Sequence, residues 1–312
     1  MSAPVCLLTI GPTWMAFRLP FSLLPNEGEC VELGESPSVC FGGSGANMAM
    51  AASKLGARSI LCSAIGQDAN GDQLKEALAQ NHVDTRFVTQ MAGKKTPFHV
   101  TLAQTGKDER QMLYPGDAIY PDAEQIAYAF SSQPDAVCLR GELPMVAMSE
   151  AVRIATSKQV PLSVCVSHCH PTFTPEALPP LELFSATATA VKQLTGITPG
   201  GTDSCLKAVL QLTDRIKAKY YVFSLGDRGC FMYDGKMAHH ISPYYSRIND
   251  PSGASDAFDA MLQLTYFSGK SITEACEEAN AAFAITALRY GTVEAMPTPS
   301  DMTLFKSHAS RA

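Results

Sequence analysis

The chain has 312 residues, 46% of them apolar and 17% charged, a globular balance that excludes a disordered protein and gives one large domain enough core. A formal charge of −6 speaks against a nucleic-acid or anionic-membrane partner, since either needs clustered Lys and Arg. No apolar run approaches the length of a membrane span.

The first segment, "MSAPVCLLTIG", has neither the basic flank nor the cleavage site of a signal peptide, and Val5 to Ile10 reads as a buried strand ending in a Gly-Pro turn. Short apolar runs predict further strands at 59–64, 135–139, 160–166 and 220–225. Helical periodicity predicts helices over 46–55, 71–81, 144–157, 203–217, 256–268 and 273–289. Such alternation implies an α/β fold with a mostly parallel sheet covered on both faces, and ligands beyond the carboxyl ends of its strands. The ten cysteines lie mostly in apolar runs such as "SILCSAIG" and "DAVCLRG", which fits reduced, buried thiols in a cytoplasmic chain.

Two stretches break the alternation. Residues 17–41, "FRLPFSLLPNEGECVELGESPSVCF", carry Pro and Gly punctuation and little helical period. Residues 96–114, "TPFHVTLAQTGKDERQMLY", read as two strands joined by a Gly-Lys-Asp turn. A small β-sheet lid and two unrelated surface hairpins both fit this spacing.

Three segments hold candidate chemistry. In "FGGSGANMAMAASKLGA", Gly42, Gly43 and Gly45 let a ligand approach the backbone, and Asn47 falls in the first turn of the following helix. The segment lacks the Lys-Ser/Thr of a P-loop and the spacing of a dinucleotide fingerprint, so a plain structural turn fits it as well. In "NDPSGASDAFDA", Gly253, Ala254 and Ser255 lie at a helix entry, where unpartnered amides and the helix dipole suit a phosphate. Asp256 beside them is placed to take a proton from an attacking hydroxyl; an ordinary helix start with a dipole-favoured Asp is the competing reading. "VCVSHCHPTF" gathers Cys165, His168, Cys169 and His170, but without the paired spacing of a structural zinc site. Packing of Cys165 on a strand and substrate contact by a histidine are the alternatives to a metal there.

Taken together, the chain resembles the ribokinase or PfkB family of small-molecule kinases from about Leu7 to about Pro299. "GGSGANMAMAASKLGA" with "SAIGQDANGDQLKEALAQNHVDT" is similar to the family's first signature, and "DPSGASDAF" to its second. "FSLGDRGCFMYDG" is similar to the nucleotide-side strand and turn, and "EANAAFAITALRYGTVEAMPT" to the closing helix and loop. The resemblance implies a single ribokinase-like three-layer domain over 1–312, with 17–41 and 96–114 as a β-sheet lid that often mediates homodimers. It implies that Asp256 is the catalytic base and that the amides of Gly253, Ala254, Ser255 and Asp256 form the anion hole. Gly42, Gly43, Asn47 and Glu142 would bind the sugar, Gly226, Gly229 and Asn280 the nucleotide, and Asp250 a monovalent cation. The implied cofactors are ATP and Mg²⁺, with K⁺ in some members.

The match fails at three places. Where many members carry a sugar-gripping Asp, this chain has Ala16 in "GPTWMA", with Trp14 either a stacking face for a sugar or ring or a core or lid contact. The Asn-x-x-Glu that commonly organises Mg²⁺ is replaced by Thr187 and Ala190. In the second signature, Pro251 and Ser255 replace a threonine and a glycine. The expected activity is ATP-dependent phosphorylation of a hydroxymethyl group on a sugar or sugar-like molecule. A catalytically weak sugar- or nucleoside-binding sensor is the alternative. Arg18 and Arg140 near the altered position are compatible with an acidic sugar, or are merely lid and surface charges.

Overall fold

The computed structural model describes residues 3–309 except 24, 34–35, 105–109, 114–115 and 117. In chain order its strands are β1 Cys6–Ile10, β2 Trp14–Phe21, β3 Ser38–Gly42, β4 Arg58–Gly66, β5 Val88–Met91, β6 Phe98–Gln104 and β7 Arg110–Leu113. They continue as β8 Ala136–Arg140, β9 Leu162–Val166, β10 Leu181–Thr187, β11 Ala218–Ser224, β12 Cys230–Tyr233 and β13 Ala238–Ile241. The helices are α1 Ser44–Lys54, α2 Ala69–Gln80, α3 Ala123–Ala129, α4 Met145–Lys158, α5 Ala188–Thr195, α6 Thr202–Thr213, α7 Ala254–Phe267, α8 Ile272–Leu288 and α9 Pro299–His308.

Nine strands form one sheet in the order β13-β12-β11-β10-β9-β8-β1-β4-β5, parallel except for the antiparallel β12 and β13. Side-chain alternation feeds two layers of core. From β1, Cys6, Leu8 and Ile10 enter the cluster under α3, α4, α5 and α6, while Leu7 enters the cluster under α1, α7, α8 and α9. All five residues of β1, β8 and β9 are buried, as a sheet covered on both faces requires. The second face is rich in alanine, with Ala257 and Ala260 of α7 packed near Ala281, Ala282 and Ala284 of α8, so the helix backbones come close. Among the described residues no helix is long and apolar enough to cross a membrane.

A second sheet, β3-β2-β6-β7, pairs β2 with β6 in parallel and its other neighbours antiparallel. The two interrupting stretches therefore do share one sheet. It begins earlier than the punctuation predicts, at Trp14, and β3 runs to Gly42, directly before α1. The Gly-Lys-Asp turn expected at 106–108 lies outside the described residues.

Candidate active site

The carboxyl ends of β1 and β8 and the starts of α1 and α7 converge on one cleft of about 510 Å³, roofed by the small sheet. A larger, more open depression of about 650 Å³ lies at the opposite ends of β9, β10 and β11, lined by Pro161, Pro179 and Pro180 and without a comparable set of carboxylates.

Glycine is required at both helix entries. Gly43, the N-cap of α1, has φ of +95°, and a Cβ there would stand 2.5 Å from Pro12 O. This lets the α1 amides of Gly45 and Ala46 approach Pro12 O at 3.1 and 3.4 Å, and sets Asn47 on the cleft side of the first turn. Gly253, the N-cap of α7, has φ of +74°. The Ala254 amide turns back to Pro251 O at 3.2 Å and Ala254 does not line the cleft, so it departs from the four-amide expectation. The first-turn amides of Ser255 and Asp256 have no intrahelical acceptor, and both residues line the cleft with Gly253.

Asp256 is 6% exposed, and each of its carboxylate oxygens accepts one hydrogen bond. Asn47 Nδ2 donates to one oxygen at 2.9 Å, and Arg140 donates to the other at 3.1 Å. Arg140, at the end of β8, is completely buried. It also donates to Asp259 at 2.8 Å, Ser167 Oγ at 2.9 Å and Met48 Sδ at 3.4 Å, and Ser185 Oγ donates to Asp259 at 2.7 Å. The guanidinium therefore sits behind the cleft, tied to two carboxylates one helical turn apart on α7. It is neither a surface charge nor open to an acidic ligand. Burial works against its charge, but Asp259 and Asp256 hold it protonated. Burial pushes the Asp256 carboxyl up to about 7, against the opposing pull of Arg140 and Asn47, with Asp259 and Glu142 adding to the rise.

Glu142 follows β8 into the cleft wall and is 6% exposed; burial raises its carboxyl despite Arg140. Among the described residues, Oε2 of Glu142 and Oδ1 of Asn47 are buried without hydrogen-bond partners. Two unmatched acceptors on one wall suit a ligand that donates hydroxyls. Asp250 accepts from the amides of Ser252 at 3.0 Å and Gly291 at 3.3 Å, tying the loop before α7 to the loop after α8.

The small sheet turns Trp14, Ala16 and Arg18 of β2 toward the cleft, with His99 and Thr101 of β6 beside them. Trp14 meets His99 edge to face, with ring centroids 6.1 Å apart. Of the Cys-His segment, Cys165 is buried on β9, His168 lines the cleft, and His170 stacks edge-on against Tyr120. Burial brings His168 down to about 4 and lowers His99 as well, so both imidazoles are neutral at pH 7.

Gly226, Gly229 and Asn280 stand outside this cleft's lining. Gly226 and Gly229 bracket a one-turn helix after β11, on the same side of the sheet as the start of α7. Asn280 Nδ2 donates to the carbonyls of Ile241 and Ser242, at 3.2 and 3.1 Å, tying α8 to the loop after β13. Thr187 caps α5 by accepting from the Ala190 amide at 3.2 Å, and its hydroxyl donates to Ser167 O at 3.3 Å. With the Ala190 methyl buried, this helix entry offers a cation no carboxylate.

Sequence reasoning missed Asp259, Ser167 and the true place of Arg140. The signal was available as one Arg in an otherwise apolar strand, "AVCLR", and a second Asp in the apolar face of "ASDAFDAMLQL". Buried charges of opposite sign must find each other.

A nine-stranded, doubly covered sheet with a four-stranded sheet over the carboxyl ends of its strands is the fold of the ribokinases. The structure matches that of Arabidopsis thaliana ribokinase complexed with ribose and ATP at a TM-score of 0.81 and 21% identity, covering 97% of this chain and 98% of that one. The chain belongs to the pfkB family of carbohydrate kinases, whose family model matches residues 8–299, and so is a phosphotransferase. Ribokinase of Haemophilus influenzae is 24% identical over 295 residues, covering 93% of this chain and 94% of that protein. Ribokinase of Mus musculus is 25% identical over 289 residues, covering 91% and 89%.

Proposed function

We propose that this chain transfers the terminal phosphoryl group of ATP to a hydroxymethyl group of a sugar or sugar-like acceptor. The observation that carries this reading is Asp256, buried at the entry of α7, hydrogen-bonded through both oxygens and flanked by first-turn amides that have no intrahelical acceptor. With its carboxyl near 7, it can accept a proton from the acceptor hydroxyl at neutral pH and release it afterwards. The amides of Gly253, Ser255 and Asp256 stabilise charge on the group in transfer. Asn47 and Glu142 orient the acceptor through their unmatched oxygens, Gly42 and Gly43 let it approach the backbone, and Trp14 closes over it. Gly226, Gly229 and Asn280 form the nucleotide side.

Bound Mg²⁺ would neutralise phosphate charge. Thr187 and Ala190 do not fit a protein-held Mg²⁺, so its ligands would have to come mainly from the nucleotide and water. Asp250 would face a monovalent cation such as K⁺; both of its oxygens already accept amides, so its contribution there is mainly charge. The small sheet acts as a lid on the single domain over 1–312 and excludes water from the cleft. Val39, Phe98 and Leu113 of the small sheet are exposed, and a homodimer through the lid would cover this apolar surface.

The missing carboxylate at the α5 entry favours one other reading, a catalytically weak sugar or nucleoside sensor. Coupled ADP release with MgATP and K⁺, over pentoses, hexoses, sugar acids and nucleosides, separates the two. Turnover on one class that falls by about 10²–10⁴-fold in Asp256→Asn supports the kinase. If no compound is turned over while a sugar or nucleoside still raises Tm, the sensor is right.

A further inference from the structure

The inner wall of the cleft and its roof want different things of a ligand. On the inner wall, among the described residues, Glu142 Oε2 and Asn47 Oδ1 are unmatched acceptors that call for hydroxyl groups, with the unmatched hydroxyl of Ser44 beside them. The roof presents a donor. Nε of Arg18 is buried and, among the described residues, meets no hydrogen-bond acceptor. Arg18 faces the cleft because β2 alternates, with Trp14, Ala16 and Arg18 lining it. It lies in register between Ser38 of β3 and Thr101 of β6, whose side chains also line the cleft. A guanidinium fork flanked by two hydroxyls is a matched setting for a carboxylate or a phosphate.

Arg18 is the one Arg or Lys among the described residues lining the cleft, against the carboxylates of Glu142, Asp250, Asp256 and Glu294, so it is the one place in that lining where an anion meets positive charge. Arg140 is walled off behind Asp256 and Asp259, so it cannot serve an anion in the cleft. At position 16 an alanine methyl leaves the roof without a carboxylate that would repel one.

We infer that the acceptor carries an anionic group, a carboxylate or phosphate, at the end remote from its reacting hydroxymethyl, and that Arg18 with Ser38 and Thr101 binds it. This rests on the kinase reading above and narrows its substrate class. The spacing sets the size. Trp14 pairs with Gly42, next to the α1 entry, whereas Arg18 lies four residues farther along β2, ~13 Å at strand rise. Less the reach of the arginine, that leaves room for roughly a six-carbon chain between the reacting end and the anion.

The test compares acceptors that differ in charge: D-gluconate against D-glucitol for a carboxylate, and fructose 6-phosphate against fructose for a phosphate. In the wild type, one charged member should exceed its neutral partner in kcat/KM by about 10- to 100-fold, mostly through KM, the scale of one charge-assisted hydrogen-bond pair. Which pair responds tells carboxylate from phosphate. Arg18→Gln should abolish the preference by slowing the charged acceptor far more than the neutral one, and Arg18→Lys should keep part of it. Calorimetry of the same pairs on Asp256→Asn, without ATP, reads the subsite independently of chemistry. An Arg18-dependent preference there without turnover in the wild type would sink the kinase reading and leave the subsite standing.

The inference is overturned if neither charged acceptor is preferred, or if Arg18→Gln slows both members of a pair alike. It is also overturned if Arg18→Glu is rescued by Glu294→Arg. Glu294 is the exposed carboxylate on the same cleft's rim, and such rescue would make Arg18 a closing latch.

Discussion

Arg140 offers the sharpest test of how the proposed base is tuned. The guanidinium is fully buried and donates to Asp256 at 3.1 Å and Asp259 at 2.8 Å, so it opposes the burial that pushes Asp256 up to about 7. An opposite charge at this range lowers a carboxyl by about 1–3 units. Arg140→Met alone leaves two buried carboxylates facing each other and should cost about 3–5 kcal/mol of stability. The informative variant is therefore Arg140→Met with Asp259→Asn, which removes both charges of the inner pair. Losing Asp259 removes a charge that raises Asp256, so the net rise is smaller than the arginine alone would give; with a rise of about one unit, the ionised fraction at pH 7 falls from about a half to about 9%, so kcat/KM drops about five-fold there and recovers near pH 8. The assay is kcat/KM from pH 5 to 10 by coupled ADP release. An acid limb that stays at the wild-type pH would show that Arg140 does not set the base. Stability gives a second readout. The folded-state carboxyl of Asp256 lies above its ordinary 3.8, so its contribution is complete below about pH 4 and is lost as pH rises through about 7. Asp256→Asn should therefore flatten the decline of Tm between about pH 4 and 7.

Gly253→Ala puts a side chain at φ of +74° and a Cβ 2.9 Å from Thr292 Cγ2, which should destabilise by about 1–3 kcal/mol and raise the KM for ATP. An unchanged denaturation midpoint with an unchanged KM would mean that the turn is unstrained. Thr187→Asn with Ala190→Glu supplies the amide and carboxylate that the α5 entry lacks, and should lower the Mg²⁺ needed for half-maximal rate. An identical Mg²⁺ titration would show that other groups already organise the metal.

Strand and helix alternation was legible because it is written in local periodicities. The first five strands read from the sequence match β1, β4, β8, β9 and β11 to within two residues at each end. β10 was not legible, since "LELFSATATAVKQLT" runs from strand into helix without Gly or Pro, and the boundary depends on the Thr187 cap. The small sheet was placed late at one end because Trp14 and Met15 are too few to show a strand period of their own, and only pairing with Gly42 and Phe41 makes them strand.

The amino-acid sequence by itself determined the two glycine entries, the Asp at the second of them, and the departures at 16, 187 and 190. All of these are local, since they depend on backbone conformations and neighbours a few residues apart. Tertiary structure alone decided what those residues meet. Asn47 reaches Asp256 across 209 residues of chain, and Arg140 reaches Asp256 and Asp259 across 116 and 119. It also decided that the Ala254 amide closes a turn, and that of the two arginines near the altered position one is sealed behind Asp256 while the other faces the cleft. No periodicity encodes which buried charges meet: that is settled when the sheet closes and each must find a partner in a medium that penalises leaving it alone.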